Sequence, residues 1–466
     1  MASYHDQDVA LVPGTTAYDG FEEMAVPMRM QYWVWDILNP DDFLMGDKPI
    51  MEQKGPYTYL EYRNKLNITH DHDEGTVSFR GRTNYQFVPE ESVGLESDTF
   101  WTVNVPVFTV ANLLKDQPGP IKNIQRLIHE LSNATSVLEL SVYDVIWGYE
   151  DAYLLLFDEL FPGQIPTTIF GLFAGTNYTA GKPWVLKTGE KDIKDVGQVV
   201  SWNGLTELDF WGTEWANMIN GTDASTTAPF KKSSEDVYVF VGTICRSGYL
   251  TYQRENELEG LKTGRYQVPF ELFANATINP DNIGFCYPDE NNCHPTGMIN
   301  AEPCQSGAPV FFSLPHFLYG DPLLLEGVIG MEPNEEEHIL SFDVEMLTGI
   351  VFAVSNRIQV NLKVQSYNTV PDTRFLRTTY VPMVWLNESS IIDAESAEFF
   401  KSSIILPLLI ARIAVGLLIG IGGVMIIAGI IGYCCLCKDE KKVEKKPIEM
   451  QGSYNKGETN HVYEKE

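Results

Sequence analysis

Hydrophobic and polar positions change their period several times along this chain. The longest run is Ile413 to Leu436, IAVGLLIGIGGVMIIAGIIGYCCL, 24 residues without a charge. As a helix it covers roughly 36 Å, against a hydrocarbon core of about 30 Å. Only a helix satisfies its own backbone groups there. The run predicts a transmembrane helix over 412–437, with Arg412 at its upstream edge, able to snorkel to the interface. Lys438, Lys441, Lys442, Lys445 and Lys446 follow it and mark the cytoplasmic side. Residues 1–411 are then expected outside the cytoplasm, and 438–466 form a cytoplasmic tail.

In the outer portion the patterns are mostly those of strands. Residues 29–36 (RMQYWVWD) and 56–62 (PYTYLEY) are aromatic and β-branched, with Asn39-Pro40-Asp41-Asp42 as a turn between them. Val77 to Val88 reads as a strand pair broken at Gly81. Val237 to Val241 is a continuous apolar run. Ile358, Val360, Leu362 and Val364 alternate with Arg357, Gln359, Asn361 and Lys363, the pattern of a strand with one wet face. Val381 to Leu386 is the last strand. Between these, Ile121, Ile124, Leu127, Ile128 and Leu131 follow helical spacing from Pro120 to Ser132-Asn133. A second helix is expected over 136–149, and a third over 151–160 stopped by Pro162-Gly163. The fold class is therefore mainly β with a helical subdomain (α+β): one large antiparallel domain carrying a helical cluster near 110–162.

Charge removes some functions. The whole chain carries −30, the tail balances seven Lys against seven acidic residues, and Arg412 adds one positive charge, so residues 1–411 carry −31. Such a surface repels nucleic acid, which is not expected as a partner. Cys245, Cys286, Cys293 and Cys304 lie in the outer portion and suggest two disulfides among three possible connectivities. Cys434, Cys435 and Cys437, at the inner membrane edge, are candidates for S-palmitoylation. Sequons at Asn67, Asn133, Asn177, Asn220, Asn275 and Asn387 all fall on the outer side, in agreement with the lysine-based topology.

No nucleophile elbow, zincin helix or phosphate loop occurs; His129-Glu130 lacks the second His of a zinc helix. Glu335-Glu336-Glu337-His338 lacks calcium-loop spacing and reads as a solvated turn. No catalytic residue, metal or cofactor is expected. The opening MASYHDQDVALVPGTTAYDG has no apolar leader, so an address for translocation is expected upstream of it.

Eleven stretches carry a resemblance. YWVWDILNP (32–40), KGPYTY (54–59), SVGLESD (92–98) and IWGYED (146–151) come first. NMINGTD (217–223), ICRSGY (244–249), GFC (284–286) and PVFFSLPHFLYGDP (309–322) follow. PNEEEH (333–338), LTGI (347–350) and VPMVWLNES (381–389) complete the series. In this order they resemble the class B scavenger receptor family, which includes fatty-acid translocase and lysosomal integral membrane protein type two.

The resemblance implies an antiparallel β-barrel ectodomain capped by an apical helical bundle, set between two membrane spans, the first of which would lie upstream of residue 11. It implies an internal tunnel carrying lipid toward the bilayer, and ligand binding at the apex, where Leu127, His129, Leu131 and Leu140 are the candidates. It pairs Cys245 with Cys304 and Cys286 with Cys293. A third bridge of some members would fall on Ala216 and Gly284, so both of its cysteines are missing here, as in the lysosomal branch.

The apex is acidic: residues 111–165 hold three basic and eight acidic side chains, and Ala134 and Ser136 stand where a scavenging member can carry lysines. That charge disfavours anionic lipoprotein ligands. Two functions remain. One is a plasma-membrane receptor that binds lipids or lipoprotein particles and transfers sterol, fatty acid, phospholipid or carotenoid. The other is an endosomal or lysosomal membrane receptor for a soluble lumenal protein. Glu444 to Ile448 is a poor dileucine signal and Tyr454 lacks a tyrosine-signal partner, which leans toward the cell surface.

Overall fold

The computed structural model describes residues 9–23, 27–163, 165, 167–443 and 452. Its main element is a 13-stranded antiparallel sheet. Eleven strands follow one path: Val237–Val241, Arg246–Leu258, Leu261–Gln267, Ser341–Val344, Val351–Val364, Thr379–Ile391, Met28–Ile37, Met51–Asp71, Thr76–Phe87, Ala180–Lys187 and Val199–Trp202. Val310–Ser313 branches from Val351–Val364 and pairs with Ile299–Asn300.

The two ends of the path meet across one segment. The Val199 amide donates to the Gly221 carbonyl at 2.9 Å, the Thr222 amide to Tyr238 at 3.0 Å, and the Phe240 amide back to Thr222 at 2.9 Å. The sheet is therefore nearly closed, which removes the exposed edges that invite aggregation.

The helical cluster packs on this sheet through one continuous core. Val105–Leu114 begins at Asn104, whose side chain accepts from the Val107 amide. Gly119–Ser132 has Pro120 in its first turn and ends at Asn133 in left-handed backbone. Ala152–Leu160 begins at Asp151, which accepts from the Leu154 amide. Val107, Phe108, Ile128, Val142 and Tyr153 join Tyr32, Trp35, Tyr59 and Val384 of the sheet in that core. Each such apolar side chain contributes roughly 1.5–3 kcal/mol by leaving water.

Four local expectations are corrected. Residues 136–149 are not one helix: Val137–Ser141 is a strand paired with Thr99–Val103, and the helix Val142–Trp147 starts only at the Ser141–Asp144 capping box. Cross-strand pairing decides here: the ladder with Thr99–Val103 holds 137–141 extended, with Val137 and Leu140 buried and Glu139 exposed. Thr76–Phe87 runs unbroken through Gly81, which pairs with Lys65. Asn39–Asp42 opens a short helix, Pro40–Leu44, that buries Phe43. Gln359 and Asn361 are not on a wet face. The segment 311–317 covers them: Gln359 donates to Asn361 at 2.8 Å and accepts from the His316 amide at 3.0 Å, while Asn361 donates to Ser313 at 3.0 Å.

A second unit begins at Ala394, upstream of the expected boundary at 411. Its helical backbone includes a π turn at Lys401–Ile405 and continues as Leu406–Val443. The stretch Ala394–Cys434 is long and apolar enough to cross a membrane, with none of its most apolar window buried.

Candidate functional site

The helix Gly119–Ser132 turns two different faces to its surroundings. Gln125, Ile128 and His129 point inward. Leu127 and Leu131, one turn apart, are 48% and 63% exposed. They form an apolar ridge on the outside of the bundle, with Arg126 and Glu130 exposed beside them. A single exposed leucine is unremarkable; here two lie one turn apart on one face of the same helix.

The other two predicted apex residues lie elsewhere. Leu140 packs in the core from its strand. His129 is buried and its Nε2 lies 3.3 Å from Asp372 Oδ1. The Ser136 amide donates to the other carboxylate oxygen at 2.7 Å. Burial would raise the Asp372 carboxyl, but the hydrogen bonds from His129 and Ser136 hold it below its ordinary value. His129 thus ties the helix to the turn Pro371–Thr373 from a buried position. Ser136 is fully buried, so it takes no part in the surface charge of the apex.

Cys286 and Cys293 are bonded. Cys245 and Cys304 are free thiols: Cys245 donates to the Gly242 carbonyl at 3.5 Å, and Cys304 packs against the core cluster that contains Cys245. Material folded in an oxidising compartment is expected to join them. Peptide mapping after alkylation without reduction should recover Cys245 linked to Cys304; recovery of both as alkylated thiols would contradict this. Ala216 and Gly284 are also neighbours: a Cβ added to Gly284 would lie 2.9 Å from that of Ala216.

Of the sequons, Asn67 and Asn133 are exposed, and Asn177, Asn220, Asn275 and Asn387 are half-buried. Asn275 donates its amide to the His294 carbonyl at 2.6 Å, and Asn387 sits mid-strand. Cys434 is exposed on its helix. The side chains of Cys435 and Cys437, and the tail stretches at Glu444–Ile448 and Tyr454, lie outside the described residues. Among the described residues no three His, Cys, Asp or Glu side chains converge as a metal site.

Two polar clusters escaped sequence reasoning. His316 and His338 are buried and stacked, with ring centroids 4.3 Å apart. Gln53 Oε1 accepts from Trp385 at 2.7 Å and lies 2.8 Å from His316 Nε2. His316 Nδ1 accepts from the Glu332 amide and His338 Nδ1 from the Asn334 amide, each at 3.0 Å. Both rings are therefore held neutral: burial, then the neighbouring ring, pulls His316 down to about 3, and burial, then Arg357, pulls His338 down to about 4. In the second cluster Arg63 pairs with Glu61 and Glu388. Burial raises the Glu61 carboxyl to about 7 against the pull of Arg63. The residues of each cluster are far apart in sequence, and only the register brings them together.

Comparison with known proteins agrees with this architecture. The family model described as the CD36 family matches residues 1–433. A lysosome membrane protein 2 from Rattus norvegicus is 36% identical over 88% of this chain and 84% of its own length. The Homo sapiens protein of that name is also 36% identical, with the same coverage. A scavenger receptor class B member 1 from Sus scrofa is 33% identical over 91% of this chain and 82% of its own length.

Proposed function

This chain belongs to the CD36 family, and from that premise we propose that it is a membrane receptor that binds lipid or lipoprotein-type ligands on its helical bundle and passes lipid through the outer domain toward the bilayer. The observation that carries the reading is the ridge of Leu127 and Leu131. Covering apolar surface there supplies binding energy at roughly 25 cal/mol per Å², and moving apolar cargo needs no covalent step. The proposal assigns no enzymatic activity. The acidic bundle favours neutral or zwitterionic ligands over strongly anionic ones.

Replacing both leucines, Leu127→Ser with Leu131→Ser, is expected to weaken binding of phosphatidylcholine vesicles or lipoprotein particles at least tenfold, which corresponds to about 1.4 kcal/mol. Because both side chains are exposed, thermal stability should change little. Unaltered binding by the double variant would count against this surface.

The likeness to lysosome membrane protein 2 supports a second reading, in which the same ridge holds a soluble lumenal protein in an endosome or lysosome. Vesicle binding by the purified protein, without added protein, separates the two.

A further inference from the structure

Arg246 is a buried cation with no anionic partner among the described residues. It is 5% exposed, and its guanidinium donates to the Leu272 carbonyl at 3.1 Å and to Asn282 Oδ1 at 2.8 Å, both neutral acceptors. Phe285 lies against it, 3.6 Å from ring centroid to guanidinium carbon. Its Nε has no partner. A charge taken from water without compensation costs several kcal/mol, and burial pulls this guanidinium down to about 9.

Arg246 lines a small cavity of about 30 Å³ beside the Cys286–Cys293 bridge, together with His294 and Asn300. Asn300 is 4% exposed and its Nδ2 is unpartnered, as is His294 Nε2. His294 Nδ1 lies 3.0 Å from the Tyr380 hydroxyl. When that hydroxyl donates to Nδ1, the ring proton sits on Nε2. Three unpartnered donors therefore belong to the lining of one cavity, and no carboxylate lines it. Asn300 Oδ1 and Asn282 Oδ1 already accept bonds, from the Glu302 amide and from Arg246.

We propose that this cavity is a binding site for a small monovalent anion of the halide class, held by Arg246 Nε, Asn300 Nδ2 and His294 Nε2. The volume holds one or two species the size of water, which admits a halide and excludes phosphate or sulfate. A single water would accept from these donors but has two protons of its own to place, and the unpartnered side-chain groups here offer donors only. The anion also neutralises the guanidinium, which water does not.

The test uses the intact protein in detergent micelles at constant ionic strength. Replacing gluconate by chloride or bromide should raise the unfolding temperature in a saturable way, since a ligand that binds only the folded state stabilises it. Asn300→Asp supplies a fixed carboxylate beside Arg246, and the halide effect should vanish in that variant. Should it fail to fold, crystals of the wild-type protein grown in bromide should give an anomalous peak within the cavity. Identical unfolding temperatures in gluconate and halide overturn the proposal, as does a cavity that holds only water in bromide.

Discussion

Acidification from pH 7.5 to pH 5 is expected to lower the unfolding temperature of this protein by several degrees, with His316 and His338 as the main cause. Both rings are buried, and each Nδ1 accepts a backbone N–H. A proton placed there would meet the Glu332 or Asn334 amide hydrogen. Protonating both would also set two cations face to face at 4.3 Å, with Arg357 near His338. An unfolded chain takes up protons near pH 6.5, while the folded rings resist until about 3 and 4. Stability from the neutral rings is therefore complete above pH 6.5 and is lost as the pH falls toward those values. At pH 5 the loss is roughly 2 kcal/mol per ring.

His294, lowered to about 4 by burial, acts in the same direction. Glu61 acts in the opposite one: its raised carboxyl stabilises the fold as the pH drops from about 7 to its ordinary value near 4.5. Asp151, whose carboxyl burial also raises, acts with Glu61; the three histidines together outweigh these two carboxyls and leave a net loss. His338→Asn retains an acceptor for the Asn334 amide and cannot be protonated, so the pH dependence should become shallower. A melting curve that is flat between pH 7.5 and 5, or an unchanged slope in His338→Asn, would contradict this account.

Substitution of Gly221 is expected to open the barrel seam. Its φ of +98° is left-handed, and an added Cβ would lie 2.3 Å from the Tyr238 carbonyl carbon. Its carbonyl accepts from Val199, and the next residue joins Val237–Val241 to the last strand of the path. Gly221→Ala forces this backbone apart and should cost roughly 3–5 kcal/mol, seen as retention of the protein inside the cell and loss of a cooperative melt. The change leaves the Asn220 sequon intact, so a missing glycan does not explain the loss. Gly204 is the control: its φ is +80°, but nothing lies within 4 Å of an added Cβ, and Gly204→Ala should cost only about 1 kcal/mol. Equal melting of the two variants would show that the seam does not hold the sheet together.

Local pattern located what local forces decide. The aromatic and β-branched runs at 29–36 and 381–386, the period of Ile121 to Leu131 and the 24-residue apolar run each became the expected element, because residue type and local period already favour it. Local pattern misleads where a distant segment covers a polar position. Gln359 and Asn361 alternate like solvent-facing residues, yet their amides are satisfied by Ser313 and His316 across another strand. His129 and Leu140 lie in the helical cluster, but the side chains they face come from Asp372 and from the core, which no spacing rule specifies. Leu127 and Leu131 share the apolar spacing of Ile124 and Ile128, yet they are exposed while Ile128 is buried, a split set by what the helix packs against. Arg246 and its cavity had no signal: Asn300 and His294 reach it only through the fold.

The central claim is passage of lipid without its carrier. Cells expressing this protein would be given lipoprotein particles labelled separately in a core sterol ester and in their protein. The account predicts that ester enters in clear excess over particle protein, and that Leu127→Ser with Leu131→Ser reduces both particle binding and this excess. Entry of the two labels in a fixed ratio equal to that of the particle, or ester uptake no greater than in control cells, would contradict it.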